Sequence, residues 1–287
     1  MAGIAPGMDQ GQGLAATAAA GTAPGRGVPD AGRGRSVLLA GATGLVGRAL
    51  LARLLADPSV SAVHALVRRP LAADGGRIAV VGAFAESPRY QGAGSSQVNP
   101  TRVDALLDLV RGRVGDATQV TYASGYDART GETTPALVDE AVAAADGADV
   151  VVLCVGLPAA WESEGFDRTT LDLPDGHVTL IEALAAGSAP VVAALSNGGA
   201  VHMPWADRVD AVVEGWLGGQ AGAGGTVDVL FGDAEPGGRL AETIPEHVAQ
   251  LPADRSFPGS PRQCVYREGP YVGYRFFDTA GVAPRFP

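Results

Sequence analysis

The segment ADVVVLCVG, residues 148–156, constrains the fold more than any other part of the chain. Its apolar run is unbroken by a polar residue and is followed by a glycine. An amphipathic strand alternates, whereas an unbroken run of this length reads as a strand buried on both faces. RIAVVG at 77–82 is of the same kind. Strands covered on both faces belong to parallel sheets, and parallel strands need crossover connections.

The sequence supplies those connections. After the strand at Arg77–Gly82, Thr101–Arg111 carries apolar residues at 103, 106, 107 and 110 and is expected to be helical. Thr118–Tyr122 reads as a strand. Pro135–Ala145 reads as a helix, with Thr134 as cap, Pro135 in its first turn and Gly147 at its end. Ala148–Val155 is a strand, Pro174–Ala186 a helix closed by Gly187, and Ala189–Leu195 a strand. Asp210–Trp216 reads as a strand and Gly222–Phe231 as a helix. The fold class is therefore α/β, a mostly parallel sheet sandwiched by helices. Ligands of such sheets sit beyond the carboxyl ends of the strands. Three polar, glycine-bearing stretches fall there: FAESPRYQGAGSS (84–96), WESEGFDRTTLDLP (161–174) and SNGGAV (196–201).

A shorter unit comes first. In residues 35–70, Val37–Ala40 and Ala62–Val67 read as strands around a helix opened by Gly41, Gly44 and Gly47, with Arg68 and Arg69 at the second strand's exit. Glycines there let the backbone approach a pyrophosphate at a helix N-terminus. The stretch VLLAGATGLVGRALL resembles the NAD(P)-binding start of extended or atypical short-chain dehydrogenase/reductase proteins. The resemblance implies a Rossmann-like βαβ fragment, with Gly41, Gly44, Gly47, Arg68 and Arg69 as cofactor-binding residues and NADP preferred over NAD. It covers about 36 residues, and that family's Tyr-x-x-x-Lys pair is impossible here, because all 21 cationic residues are arginine. The alternative is an orphaned βαβ fragment with no ligand. Residues 1–34, rich in Ala, Gly, Pro and Thr, read as a disordered low-complexity tail.

Composition excludes several functions. A net charge of −10 argues against a nucleic-acid partner. No apolar run reaches the length of a membrane span, and the N-terminus lacks the basic start and hydrophobic stretch of a signal peptide, so a cytoplasmic location is expected. Without lysine there is no Schiff-base, P-loop or general-base lysine. Cys154 reads as a small core residue and Cys264 as a loop residue, with no disulfide framework. His64, His177, His202 and His247 are scattered without ligand spacing, so no metal site is expected.

Several long motifs, in unbroken order, identify the remainder. AVVGAFAESPRYQGAGSSQVNPTRVDAL, GLPAAWESEGFDRTTLDLP, LSNGGAVHMPWADRVDAVVEGWLGGQAGAGGTVDVLFGDAEPGGRLAETIP and YREGPYVGYRFFD resemble the C-terminal α/β-sandwich domain of glycoside hydrolase family 3, β-glucosidase type. The resemblance spans residues 73–287. It implies a retaining glycosidase, which needs two carboxyl groups about 5–5.5 Å apart across the scissile bond. In that family a separate (β/α)₈ barrel carries the nucleophilic aspartate, and a loop of the sandwich domain delivers the acid/base glutamate. The matching loop here is WESEGFDR. Glu164, before Gly165, takes the acid/base role, with Glu162 as runner-up because the loop aligns two ways. Neighbouring carboxylates, Glu162 and Asp167, are expected to help Glu164 hold a proton, with Arg168 paired to Asp167. The other reading of this loop is a solvated acidic surface.

Further substrate-binding candidates are Trp161, by stacking on a sugar, Asp167, Arg168, Gln91 in the QGAGSS turn, Ser196 and Asn197. Gln91 alternatively serves a tight connection, and Ser196 and Asn197 alternatively cap the next segment. Trp205 and Trp216 are expected to pack. No segment resembles the barrel's Asp-Trp nucleophile motif, the family commonly continues beyond APRFP, and the two resemblances overlap at Pro70–Ala72, as in a chimeric or truncated chain. Three functions follow. One is a β-glucosidase-type domain acting on a β-glucoside or oligosaccharide, without a cofactor and with a separate barrel as partner. The second is a non-catalytic module that binds sugar or docks on a barrel. The third is an NADP-binding protein acting through residues 35–70.

Overall fold

The computed structural model describes residues 35–40, 60–66, 75–260 and 262–287. The expectations for the tail at 1–34 and for Gly41, Gly44, Gly47, Arg68 and Arg69 lie outside those residues. Strands β1 (Arg35–Ala40) and β2 (Val60–Leu66) pair in parallel and form a two-stranded sheet of their own.

The main sheet has five strands: β3 (Arg77–Val81), β4 (Gln119–Ala123), β5 (Val150–Gly156), β6 (Val191–Ser196) and β7 (Ala211–Glu214). Their spatial order is β4-β3-β5-β6-β7, and every pairing is parallel. The unbroken apolar run at 150–155 lies in the central strand β5, buried along its whole length. Its neighbours β3 and β6 contribute Ile78, Val80, Val191 and Leu195 to the same core.

Helices cover the sheet: α1 (Leu106–Val114), α2 (Pro135–Ala145), α3 (Asp175–Ala185) and α4 (Gly222–Leu230), with α5 (Tyr274–Ala280) near the end. The chain runs from β3 outward to β4, then returns past β3 to β5 and on to β6. With right-handed crossovers, that reversal puts α1 on one face and α2 and α3 on the other. The packing agrees, since α1 contacts α4 and α2 contacts α3.

The expected helix at Thr101–Arg111 begins five residues late. Ala105 is extended, and the Asp104 N–H is taken by the Gln220 carbonyl at 2.9 Å, so residues 101–104 are held to the loop before α4. Leu106, Leu107 and Val110 are buried as their spacing requires, and Gly115 at φ 58° ends the helix. At α2 the expected cap forms, with the Thr134 hydroxyl accepting from the Leu137 N–H at 3.3 Å.

The reversal leaves a crevice beyond the carboxyl ends of β3 and β5, the switch point at which open α/β sheets bind ligands. The loops after β3, β5 and β6 are the three stretches singled out from the sequence.

Candidate active site

The loops after β3 and β5 touch directly. Ala93 and Ser163 form an isolated parallel bridge. Next to it, Glu164 lays one carboxylate oxygen, Oε2, on the 94–96 turn, where the Ser95 N–H donates at 3.0 Å and the Ser95 hydroxyl also donates. Glu164 is exposed. The turn is shaped for this contact. Gly94 has φ +75°, and a Cβ there would lie 2.8 Å from the Glu164 Cβ. Any side chain at 94 would displace the glutamate.

Glu162, two residues earlier, is bound to the opposite wall. The Gly198 N–H donates to both of its oxygens at 2.9 Å, and the Gly199 N–H donates to Oε1 at 3.0 Å. Two guanidinium groups flank it, Arg89 Nη2 at 3.7 Å and Arg168 Nη1 at 3.8 Å, and the Glu162 side chain is only 10% exposed. Arg89 is itself buried, and its Nε donates to the Leu157 carbonyl at 3.0 Å. Burial pulls both arginines below their ordinary pKa, and the Glu162 carboxylate opposes that pull.

Two expectations fail here. Arg168 does not pair with Asp167. Its Nε donates to the Thr170 carbonyl at 3.2 Å, its Nη2 to the Ala200 carbonyl at 3.0 Å, and its charge faces Glu162. Adjacent residues on a tight loop point apart, and Asp167 is exposed. Nor does Glu162 sit against Glu164, because its carboxylate is taken by the 198–199 turn.

The remaining candidates divide. Trp161 packs partly buried against the core. Gln91 spends both ends of its amide on its own loop, donating to the Tyr90 hydroxyl and the Val98 carbonyl and accepting from the Val98 N–H. Asn197 is fully buried. It donates to the Gly199 carbonyl at 3.0 Å and to Glu214 Oε2 at 3.2 Å. Ser196 accepts at its carbonyl from the Leu157 N–H at 3.0 Å and lines a small cavity with Arg89 and Trp216.

Sequence reasoning passed over Ser95, Arg89, Gly198, Gly199 and Glu214. Burial pushes the Glu214 carboxyl above its usual range. The Trp216 N–H and the Asn197 amide offset part of this, and the Glu162 and Glu242 charges add to it. Trp216 follows at φ 49°, a left-handed conformation rare for a bulky residue. Farther along the same loop, Asp172 accepts from the Thr170 hydroxyl at 2.7 Å and meets His202 Nδ1 at 2.8 Å, while His202 Nε2 lies 2.7 Å from the Glu246 carbonyl. Among the described residues, no group of three or more His, Cys, Asp or Glu side chains is placed to hold a metal ion.

Glu164 is thus fixed and exposed at the switch-point crevice, and comparison with known proteins decides the family. Residues 68–274 match the glycosyl hydrolase family 3 C-terminal domain. The chain belongs to glycosyl hydrolase family 3. Thermostable beta-glucosidase B of Acetivibrio thermocellus is 45% identical over 212 residues, which cover 74% of this chain and 28% of that protein. An exo-alpha-(1->6)-L-arabinopyranosidase of Bifidobacterium breve is 43% identical over the same shares. The crystal structure of the Bifidobacterium adolescentis GH3 beta-glucosidase superposes with a TM-score of 0.69 at 43% identity, over 75% of this chain and 31% of that one. DesR, a beta-glucosidase from Streptomyces venezuelae solved with D-glucose, gives 0.69 at 27% identity, over 77% and 41%. This family 3 chain thus spans less than a third of the length of the relatives it matches by sequence. The family match begins at residue 68, so Arg68 and Arg69 fall inside it.

Proposed function

We propose that this domain supplies Glu164 as the general acid/base of a retaining glycosidase acting on β-glucosides, while a barrel domain outside the described residues provides the nucleophile. Retaining hydrolysis needs one carboxyl group to protonate the leaving oxygen and then to activate water. The contrast between the two candidate glutamates carries this reading. Both Glu162 oxygens accept backbone N–H groups, and its side chain is only 10% exposed. Glu164 is held by Ser95 through one oxygen and is exposed. Phe166 and Val98, 75% and 65% exposed on the loops that meet at the crevice, supply apolar surface for a docked partner. The reaction requires no cofactor.

The test is release of nitrophenol from 4-nitrophenyl β-glucoside and 4-nitrophenyl α-L-arabinopyranoside. The chain is assayed alone and with a separately produced family 3 barrel domain. The chain alone is expected to be inactive, and the pair active. Glu164→Gln should lower the pair's rate by about 10²–10⁴-fold. Full activity in that variant, or activity of the chain alone that Glu164→Gln abolishes, would each overturn part of the proposal.

A second reading concerns residues 35–70. The parallel pairing of β1 with β2 supports a βαβ dinucleotide unit joined to the family 3 domain as a chimera. NADPH fluorescence titration tests it. Saturable binding that is lost in Gly44→Val supports the unit, and no binding retires it.

A further inference from the structure

Glu162 is the most heavily bound carboxylate of the crevice, and nothing in the proposed chemistry uses it. It stands on the loop after β5. Its N–H donors, Gly198 and Gly199, follow β6. Arg89 follows β3 and is tied to Leu157, at the root of the same β5 loop. Arg168, at the far end of the loop, returns to Ala200 after β6. One carboxylate therefore joins the exits of three adjacent strands. The fit is close, since a Cβ on Gly198 would lie 3.3 Å from Glu162 Oε1. The Arg89 Nη2 atom is buried without a hydrogen-bond partner, and Glu162 Oε2 at 3.7 Å is a carboxylate facing it.

We infer that Glu162 is a positioning residue for Glu164. It pins one wall of the 161–168 loop to the 198–199 turn, so that two residues later the chain can present Glu164 to the Ser95 turn on the other wall. This rests on the reading of Glu164 as the acid/base. The carboxylate itself is required. Glutamine would turn an N–H₂ toward backbone N–H donors and two guanidinium groups, replacing acceptance with donor–donor conflict. Aspartate keeps the charge and falls one methylene short.

The experiment is done on the full chain without any partner, so its outcome does not depend on catalysis. Glu162→Gln, Glu162→Asp and the parent are compared by amide hydrogen exchange and by ¹³C NMR of glutamate carboxyl groups, with the Glu164 signal assigned by Glu164→Gln. In Glu162→Gln, the Gly198 and Gly199 amides are expected to exchange at least tenfold faster. The Glu164 carboxyl signal should shift and broaden, and the Ser95 amide should lose protection. Glu162→Asp should restore part of each change. Amides of β5 and β6 keep their protection, which separates a loosened loop from an unfolded chain. An unchanged Glu164 signal and Ser95 amide, beside fast exchange at Gly198 and Gly199, would overturn the inference and leave Glu162 a local staple. If these signals move as expected while Glu164→Gln retains hydrolysis in the assay with the barrel, the positioning holds and the acid/base assignment falls.

Discussion

His177 is wholly buried against Tyr126, with ring centroids 3.9 Å apart, and beside Phe84. Its Nδ1 accepts from the Gly156 N–H at 3.3 Å, so the ring proton sits on Nε2. Burial lowers its pKa to about 3 from an ordinary 6.5. Between those values the unfolded chain binds a proton that the native state refuses. Stability is therefore fully present above about pH 6.5 and is lost as pH falls toward 3. His177→Leu is expected to flatten this limb in denaturant titrations at pH 4–7, while costing about 1–3 kcal/mol at pH 7 because the buried Gly156 N–H loses its acceptor. Gly94→Ala is expected to displace Glu164 and lower the activity of the barrel-supplemented chain, and, because φ +75° strains an alanine, to lower its melting temperature by roughly 2–4 °C, as activity assay and calorimetry would show together. The placement of Glu164 on the loop after a central strand was legible from its motif. Partners were not. Arg168 beside Asp167 suggested a pair, but its true contacts are the carbonyls of Thr170 and, 32 residues away, Ala200, with its charge facing Glu162.

Strands were the most legible elements, because burial on both faces writes itself into composition. β5 is apolar throughout and β3 nearly so, and each formed within two residues of its expected place. Leu153, fully buried at the sheet's centre, should cost about 2–5 kcal/mol on truncation to alanine, measured by urea unfolding. Helix ends were legible where a cap spoke for them. Thr134→Ala should cost about 1 kcal/mol, with the loss confined to α2 in hydrogen exchange. The start of α1 was not legible. Residue 103 keeps the helical period, yet the Gln220 carbonyl claims the next N–H, and a contact made across the fold leaves no local trace.

At the scale of the molecule, alternation of strand and helix implied the layers but not the strand order. The reversal at β3 depends on which edge each crossover joins, and periodicity is silent on that. Once the order β4-β3-β5-β6-β7 is in place, the three polar loops of the sequence become walls of one crevice. The reversal also governs when that crevice comes into being. Ser95 and Glu164 are 69 residues apart in the chain, and Glu162 and Gly198 are 36 apart. Contacts of such long span form only after the intervening loops have closed, and their closure entropy delays them relative to local turns and helices. In refolding followed by pulsed hydrogen exchange, the amides of Ser95 and Gly198 are expected to gain protection after those of α2 and α3. Glu164 would then reach the Ser95 turn only as the topology completes, and a partly folded chain would carry every element of the sandwich without yet holding that carboxylate in place.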